Sequence, residues 1–262
     1  MKKKITFKEL MLHTLLDFFE FSAHTTGSLD DEYELDEIGI NFFVGFNVDS
    51  VLNDLKEKKI SKVILAHTHP LLNDESLIFE KNKIDPRILI AYGVLPLPLG
   101  NPPTAGDVEF LDKIKNKANF LEIKGAVFSA SGIWVFGIIN GQKPNIEKLE
   151  ERIKNKNQSK INDFLEIELI KIKFPDYFMD VEVPGISKAE IDKVLFKSEI
   201  EKLKTRPVSE NNFLDYKEEI EKLKSFYLNC GVFLDFFYYK DFNIDPIIEM
   251  RKIIEKWAEI YL

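Results

Sequence analysis

The sequence predicts an α/β fold, a mixed sheet flanked by helices, followed by a C-terminal α+β extension or second domain. Three observations carry that reading. Short apolar runs of strand character alternate with helix-period segments through the first half of the chain. Two further apolar runs, 123–130 and 132–139, meet at Ala130-Ser131-Gly132, a tight hairpin signal. A hydrophobic content of 45% over 262 residues is enough for one large core or two smaller ones.

The first expected element is a helix over 7–16, where Phe7, Leu10, Met11 and Leu15 recur at helical spacing. A strand follows over 18–25. The acidic run 29–37 then reads as a solvated turn leading to a second strand over 38–46. Helix 48–58 and strand 61–67 come next, the strand saturating in Val, Ile, Leu and Ala as a buried strand does. Residues 71–99 interrupt this alternation. Their apolar part, 88–99, ends in Pro96 and Pro98, which favour an extended backbone and oppose central-strand pairing. It reads either as a lid or ledge beside a cleft or as an extra strand under the sheet. Helix 105–117 begins behind Thr104, a cap residue, with Asp107 in its first turn. The two hairpin strands close this unit, and the turn cluster Asn140-Gly141-Gln142-Lys143-Pro144 divides the chain into 1–143 and 144–262.

The second region reads as helix 146–155, strand 164–172, helix 187–204 with a Ser187/Glu190 capping-box pattern, helix 215–227, aromatic strand 232–239 and helix 246–261. The aromatic cluster Phe233, Phe236, Phe237, Tyr238 and Tyr239 fits a core strand, with a recognition surface as the other reading. No chemical motif marks this half, and its role is left open.

A formal net charge of −8 removes a global basic field, so no nucleic-acid partner is expected. No apolar run reaches the length of a membrane helix, and Lys8-Glu9 interrupts any secretory apolar region behind the lysines at 2–4. The expectation is a cytoplasmic protein with no membrane partner. Cys230 is the single cysteine, which excludes an intramolecular disulfide; its surroundings read as a turn entering a buried strand.

The chemistry concentrates in Ile64-Leu65-Ala66-His67-Thr68-His69-Pro70, which holds two of the four histidines. In an extended strand, side chains at i and i+2 share a face, so His67 and His69 project together. Neutral imidazoles are good zinc ligands. Asp107 is the natural third ligand. Glu80, with Ser76 near it, is the other candidate, but it lacks a preceding proline and a following helix pattern.

His67-Thr68-His69-Pro70, followed by Pro103-Thr104-Ala105-Gly106-Asp107 at a helix start, resembles the signature of the JAB/MPN (JAMM) zinc metallopeptidases, a family that includes deubiquitinating enzymes and RadC-like bacterial proteins. The resemblance spans residues 5–140. The interval from His69 to Asp107 is longer than the family's, which makes 71–99 an insertion, and Thr104 stands where the family has serine. The resemblance implies Zn²⁺ held by His67, His69 and Asp107, and Thr104 donating to the oxyanion. It also implies an upstream glutamate as general base. Glu20, between Phe19 and Phe21, fits that place; Glu32, Glu34 and Glu37 compete from the acidic run. The substrate implied is an amide at the tail of a ubiquitin-like or sulphur-carrier-like protein or peptide. The alternatives are a non-peptidase RadC-like or scaffold relative with a structural or vestigial metal site, and a binding module whose histidines satisfy buried hydrogen bonds. The sequence does not fix an oligomeric state.

Overall fold

The computed structural model describes residues 3–17, 19–39, 48–71, 86–118, 121–157, 193–205 and 216–261. Seven strands form one sheet: β1 (Lys4–Ile5), β2 (Phe21–Thr25), β3 (Tyr33–Ile38), β4 (Lys62–Thr68), β5 (Glu122–Phe128), β6 (Gly132–Ile138) and β7 (Val232–Tyr238), in the order β1-β3-β2-β4-β5-β6-β7. Among the described strands, only β4 and β5 run parallel, from Lys62↔Glu122 to Thr68↔Phe128. The other ladders are antiparallel, including the β5–β6 hairpin and the β6–β7 pair. A parallel pair needs a long crossover, and the chain between β4 and β5 supplies it.

Helices cover both faces. Helices α1 (Phe7–Leu16), α3 (Pro86–Ala91), α6 (Lys193–Lys204) and α8 (Pro246–Tyr261) pack on one face with Ala66, Phe128 and Ile133. Helices α2 (Val48–Glu57), α4 (Ala105–Lys117), α5 (Ile146–Asn157) and α7 (Lys217–Leu228) pack on the other with Val63, Leu65, Val127 and Trp134. Alternate residues of β4 thus feed two different cores, as the pleat requires. Helix α1 opens with a capping box between Thr6 and Glu9 and is buried from Leu10 to Leu16. Its buried His13 is satisfied by Asp17, with Nδ1 3.1 Å from Oδ2, and stacks on Phe21.

Three expectations need revision. The second strand lies at Tyr33–Ile38, inside the acidic run, and residues 40–47 fall outside the described part. Asp30, Asp31 and Glu32 are exposed turn residues, as the run's composition predicts, but Glu34, Asp36 and Glu37 belong to the strand: Asp36 holds His24, and Glu34 meets Lys58. Of residues 88–99, 88–92 and 97–99 are buried, 93–95 are half-buried and Pro96 is exposed; the first part is the end of helix α3, with Pro86 as its first residue, where proline's missing N–H costs nothing. Ile90 and Leu97 are fully buried, and the Arg251 guanidinium of α8 donates to the Ala91 carbonyl. The expected strand 164–172 and the Ser187/Glu190 cap lie outside the described residues. Strand β7 and helix α8 of the C-terminal region join the common sheet and its core. Among the described residues, no helix is long and apolar enough to cross a membrane.

Candidate metal centre

The centre sits at the carboxyl end of β4, where ligands gather in sheets built on parallel pairs. His67 is the penultimate residue of β4, and His69 follows one residue beyond its end. Two bonds fix that end. The His69 N–H donates to the Phe128 carbonyl at 2.8 Å, tying it to β5. The Thr68 hydroxyl, buried on the opposite face, accepts the Phe21 N–H at 2.9 Å, tying it to the start of β2. His67 pairs with Ser22 across that junction, so Glu20, two residues before Ser22, belongs to the same face as His67.

The third group comes from the crossover helix. Thr104 caps α4, its Oγ1 accepting the Asp107 N–H at 3.2 Å. Asp107 Oδ2 in return accepts the Thr104 N–H at 2.6 Å and its hydroxyl at 2.8 Å. The first-turn position also favours the ionised carboxylate through the helix dipole. The loop leading to Thr104 is pinned: the Ser129 and Ser131 hydroxyls lie 3.0 and 3.3 Å from the Leu99 carbonyl. Gly100 adopts φ +81° there, and a Cβ on it would stand 2.5 Å from the Ser129 Cβ.

His67 Nε2 lies 3.0 Å from His69 Nε2 and 3.3 Å from Asp107 Oδ1, and His69 Nε2 lies 3.7 Å from Asp107 Oδ2. Ligands at about 2.0–2.1 Å from a tetrahedral ion stand about 3.3–3.4 Å from one another. The observed separations bracket that edge. His69 Nδ1 lies 3.3 Å from the Asn101 carbonyl, which accepts its proton and leaves Nε2 as the lone-pair nitrogen facing the cluster. The three groups can hold a metal ion, each offering one ligand atom.

The electrostatics suit a cation. Burial opposes charge on His67, but the Asp107 carboxylate, by charge and hydrogen bond, and then Glu20 by charge, raise its pKa above the ordinary imidazole value. Burial, and next the neighbouring His67, push His69 down to about 4. Burial also works against the Asp107 anion; the two imidazoles and Thr104 outweigh it and hold the carboxyl below its usual range. The side chains are 9% (His67), 12% (His69) and 20% (Asp107) exposed, so the cluster is largely withdrawn from solvent.

Glu20 stands just ahead of β2, half-buried, with its charge acting on His67. Glu32 is exposed and paired with Lys4; Glu34 faces His24 at 3.7 Å and Lys58 at 3.3 Å; Glu37 is exposed opposite Ser22. Glu80 lies outside the described residues. Reasoning from sequence did not find Thr68, the Asn101 carbonyl, or the serines at 129 and 131. A backbone carbonyl leaves no mark in sequence, but Thr68, alternating with two histidines on a strand, could have been assigned to the opposite face. It also missed the buried pair His24–Asp36, with Nδ1 2.8 Å from Oδ2, one strand pair farther along the same face. Compared with known family models, curated proteins and solved structures, the chain matches none, so its functional reading rests on this geometry and on the motif.

Proposed function

We propose that the protein is a zinc-dependent peptidase or isopeptidase of the JAB/MPN type, cleaving an amide at the tail of a ubiquitin-like or sulphur-carrier-like protein. The observation that carries the reading is the convergence of His67, His69 and Asp107 at separations of 3.0, 3.3 and 3.7 Å. Two imidazoles and one carboxylate suit zinc better than calcium or magnesium, which prefer all-oxygen sites. When bound, zinc supplies a Lewis acid that polarises a carbonyl and brings the pKa of water to about 7. Glu20 then accepts the proton of the attacking water and delivers it to the leaving amine nitrogen. The Asn101 carbonyl keeps the His69 proton on Nδ1, and Thr104 steadies Asp107 through its N–H and hydroxyl.

A second reading has one observation in its favour. The Thr104 hydroxyl, the family's oxyanion donor, is engaged with Asp107 at 2.8 Å, as it would be in a relative whose metal site is structural. The test separates the two. Purified protein is expected to carry one zinc per chain, and His67→Ala/His69→Ala none. Glu20→Gln is expected to keep the zinc and lose at least about a hundredfold in cleavage of a linear ubiquitin-like fusion, the scale of general-base catalysis. Zinc in the double variant overturns the ligand assignment. Zinc-loaded wild type that cleaves no ubiquitin-like, sulphur-carrier-like or short peptide substrate selects the structural-site reading.

A further inference from the structure

Helix α7, from the half of the chain without a motif, reaches the segment that carries the metal-site supports. The hydroxyl of Tyr227, 2% exposed, donates to the carbonyl of Pro103, the residue immediately before the Thr104 cap. At the other end of α7, the Tyr216 hydroxyl lies 3.5 Å from the Leu97 carbonyl. Between those two anchors the chain presents the Asn101 carbonyl to His69 and delivers Thr104 to Asp107.

Arg152 of α5 lies over the same tyrosine. Its guanidinium lies 5.9 Å from the Tyr227 ring centroid, where its charge acts on the phenol. The support runs from Tyr227 to Pro103, then to the cap, then to the carboxylate. The Pro103 carbonyl would otherwise be a buried acceptor without that partner, which costs more than an exposed one.

We infer that Tyr227 is a positioning residue for the metal centre: its hydroxyl holds the 97–104 segment so that the Asn101 carbonyl and the Thr104 cap present His69 and Asp107 at ligand geometry. This rests on the proposed zinc site and gives the C-terminal half a task within it. Tyr227 touches neither the ligand atoms nor substrate; it acts through Pro103 and Thr104.

The test is zinc affinity measured by competition with a chromophoric chelator, on full-length wild type and on Tyr227→Phe, which keeps the ring and removes the hydroxyl. Tyr227→Phe is expected to bind one zinc with about tenfold lower affinity, the lower end of what outer-shell partners contribute. Leu223→Ala, one turn earlier on the same buried helix face, is the control for a purely structural role. It is expected to lower the unfolding midpoint without changing zinc affinity while folded. If Tyr227→Phe does not fold, Arg152→Met carries the same measurement, with a severalfold loss expected. Zinc affinity of the folded variant within twofold of wild type overturns the inference and leaves the zinc site standing, as does an equal loss in Leu223→Ala. A wild type that binds no zinc overturns both.

Discussion

Replacing Thr104 by alanine isolates the support of one ligand from the ligand itself. Thr104 makes three contacts with Asp107, and alanine removes the two that use the hydroxyl: acceptance of the Asp107 N–H at 3.2 Å and donation to Oδ2 at 2.8 Å. The backbone donation to Oδ2 at 2.6 Å survives. Loss of an N-cap costs about 1 kcal/mol. Loss of a hydrogen bond to a charged group costs about 1.5–3 kcal/mol, and the lower end applies because the Asp107 side chain is 20% exposed. The two losses belong to one network and do not add, so the expected destabilisation is about 1–2 kcal/mol, read from urea unfolding. Zinc affinity is expected to fall about tenfold, because one of two donors to Oδ2 remains to aim the carboxylate. Thr104→Ser, which keeps the oxygen, is expected to restore both. Kinetics separate orientation from catalysis: an oxyanion donor is worth about 10²–10³ in kcat, whereas an orienting residue is compensated by saturating zinc. A Thr104→Ala protein that binds zinc as tightly as wild type would refute the orienting role. A kcat that stays a hundredfold low in excess zinc would return the hydroxyl to the oxyanion.

Three other outcomes follow from the same geometry. Zinc must displace a proton from His67, whose pKa is raised above the ordinary value chiefly by Asp107 acting against burial. Zinc affinity should therefore climb by about a factor of ten per pH unit below that raised pKa and level off above it, as titrations between pH 5 and 9 can read; a flat profile would remove His67 from the ligand set. Gly100→Ala places a Cβ 2.5 Å from the Ser129 Cβ at φ +81°, and should cost at least about 2 kcal/mol with a parallel loss of zinc affinity; unchanged stability would mean the 97–104 segment is not pinned. Leu97→Asp buries an unpaired carboxylate at a position with 0% exposure, and should cost about 3 kcal/mol or more or abolish folding. An unaltered unfolding midpoint there would reopen the ledge reading of residues 88–99.

The elements with redundant signals were readable from sequence. Helix α4 matches the expected 105–117, because a cap, an acidic first turn and an apolar period agree there. The β5–β6 hairpin is likewise where the turn signal puts it. Strand β3 was hidden because Glu34, Asp36 and Glu37 look solvated when their partners are unknown. His24, Lys58 and the β2 ladder, which make that strand favourable, come from elsewhere in the chain. The helical start of 88–99 is masked in the sequence by the prolines at 96 and 98, which favour an extended backbone. Pro86 was the missed signal, since proline at a first helical position favours the helix it would break farther in. At the site, the ligand residue types were visible, but their supports were not: a backbone carbonyl at Asn101 and a phenol on a distant helix have no spacing rule.

The long interval between His69 and Asp107 looks like an obstacle to a shared site, and the topology removes it. Strands β4 and β5 are parallel, so the chain leaving His69 must cross over before it can return. It does so with a change of face: α3 and Leu97 pack in the core of α1 and α8, whereas Leu99 and Ala105 pack in the core of α2 and α7. The chain therefore passes the end of the sheet between Leu97 and Leu99, at the carboxyl ends of β4 and β5 where His69 is tied to Phe128. Its return is fixed by burial on both faces and by hydrogen bonds at Leu99. The number of residues spent in between matters little, because loop-closure entropy grows only logarithmically, by about 0.6 kcal/mol per doubling. Extra residues after His69 are thus compatible with a preserved Asp107 position so long as the crossing point stays anchored. That anchoring places the energetic burden on the 97–104 segment, which is where the serines of the hairpin, the left-handed Gly100, Tyr227 of α7 and Tyr216 just before it converge.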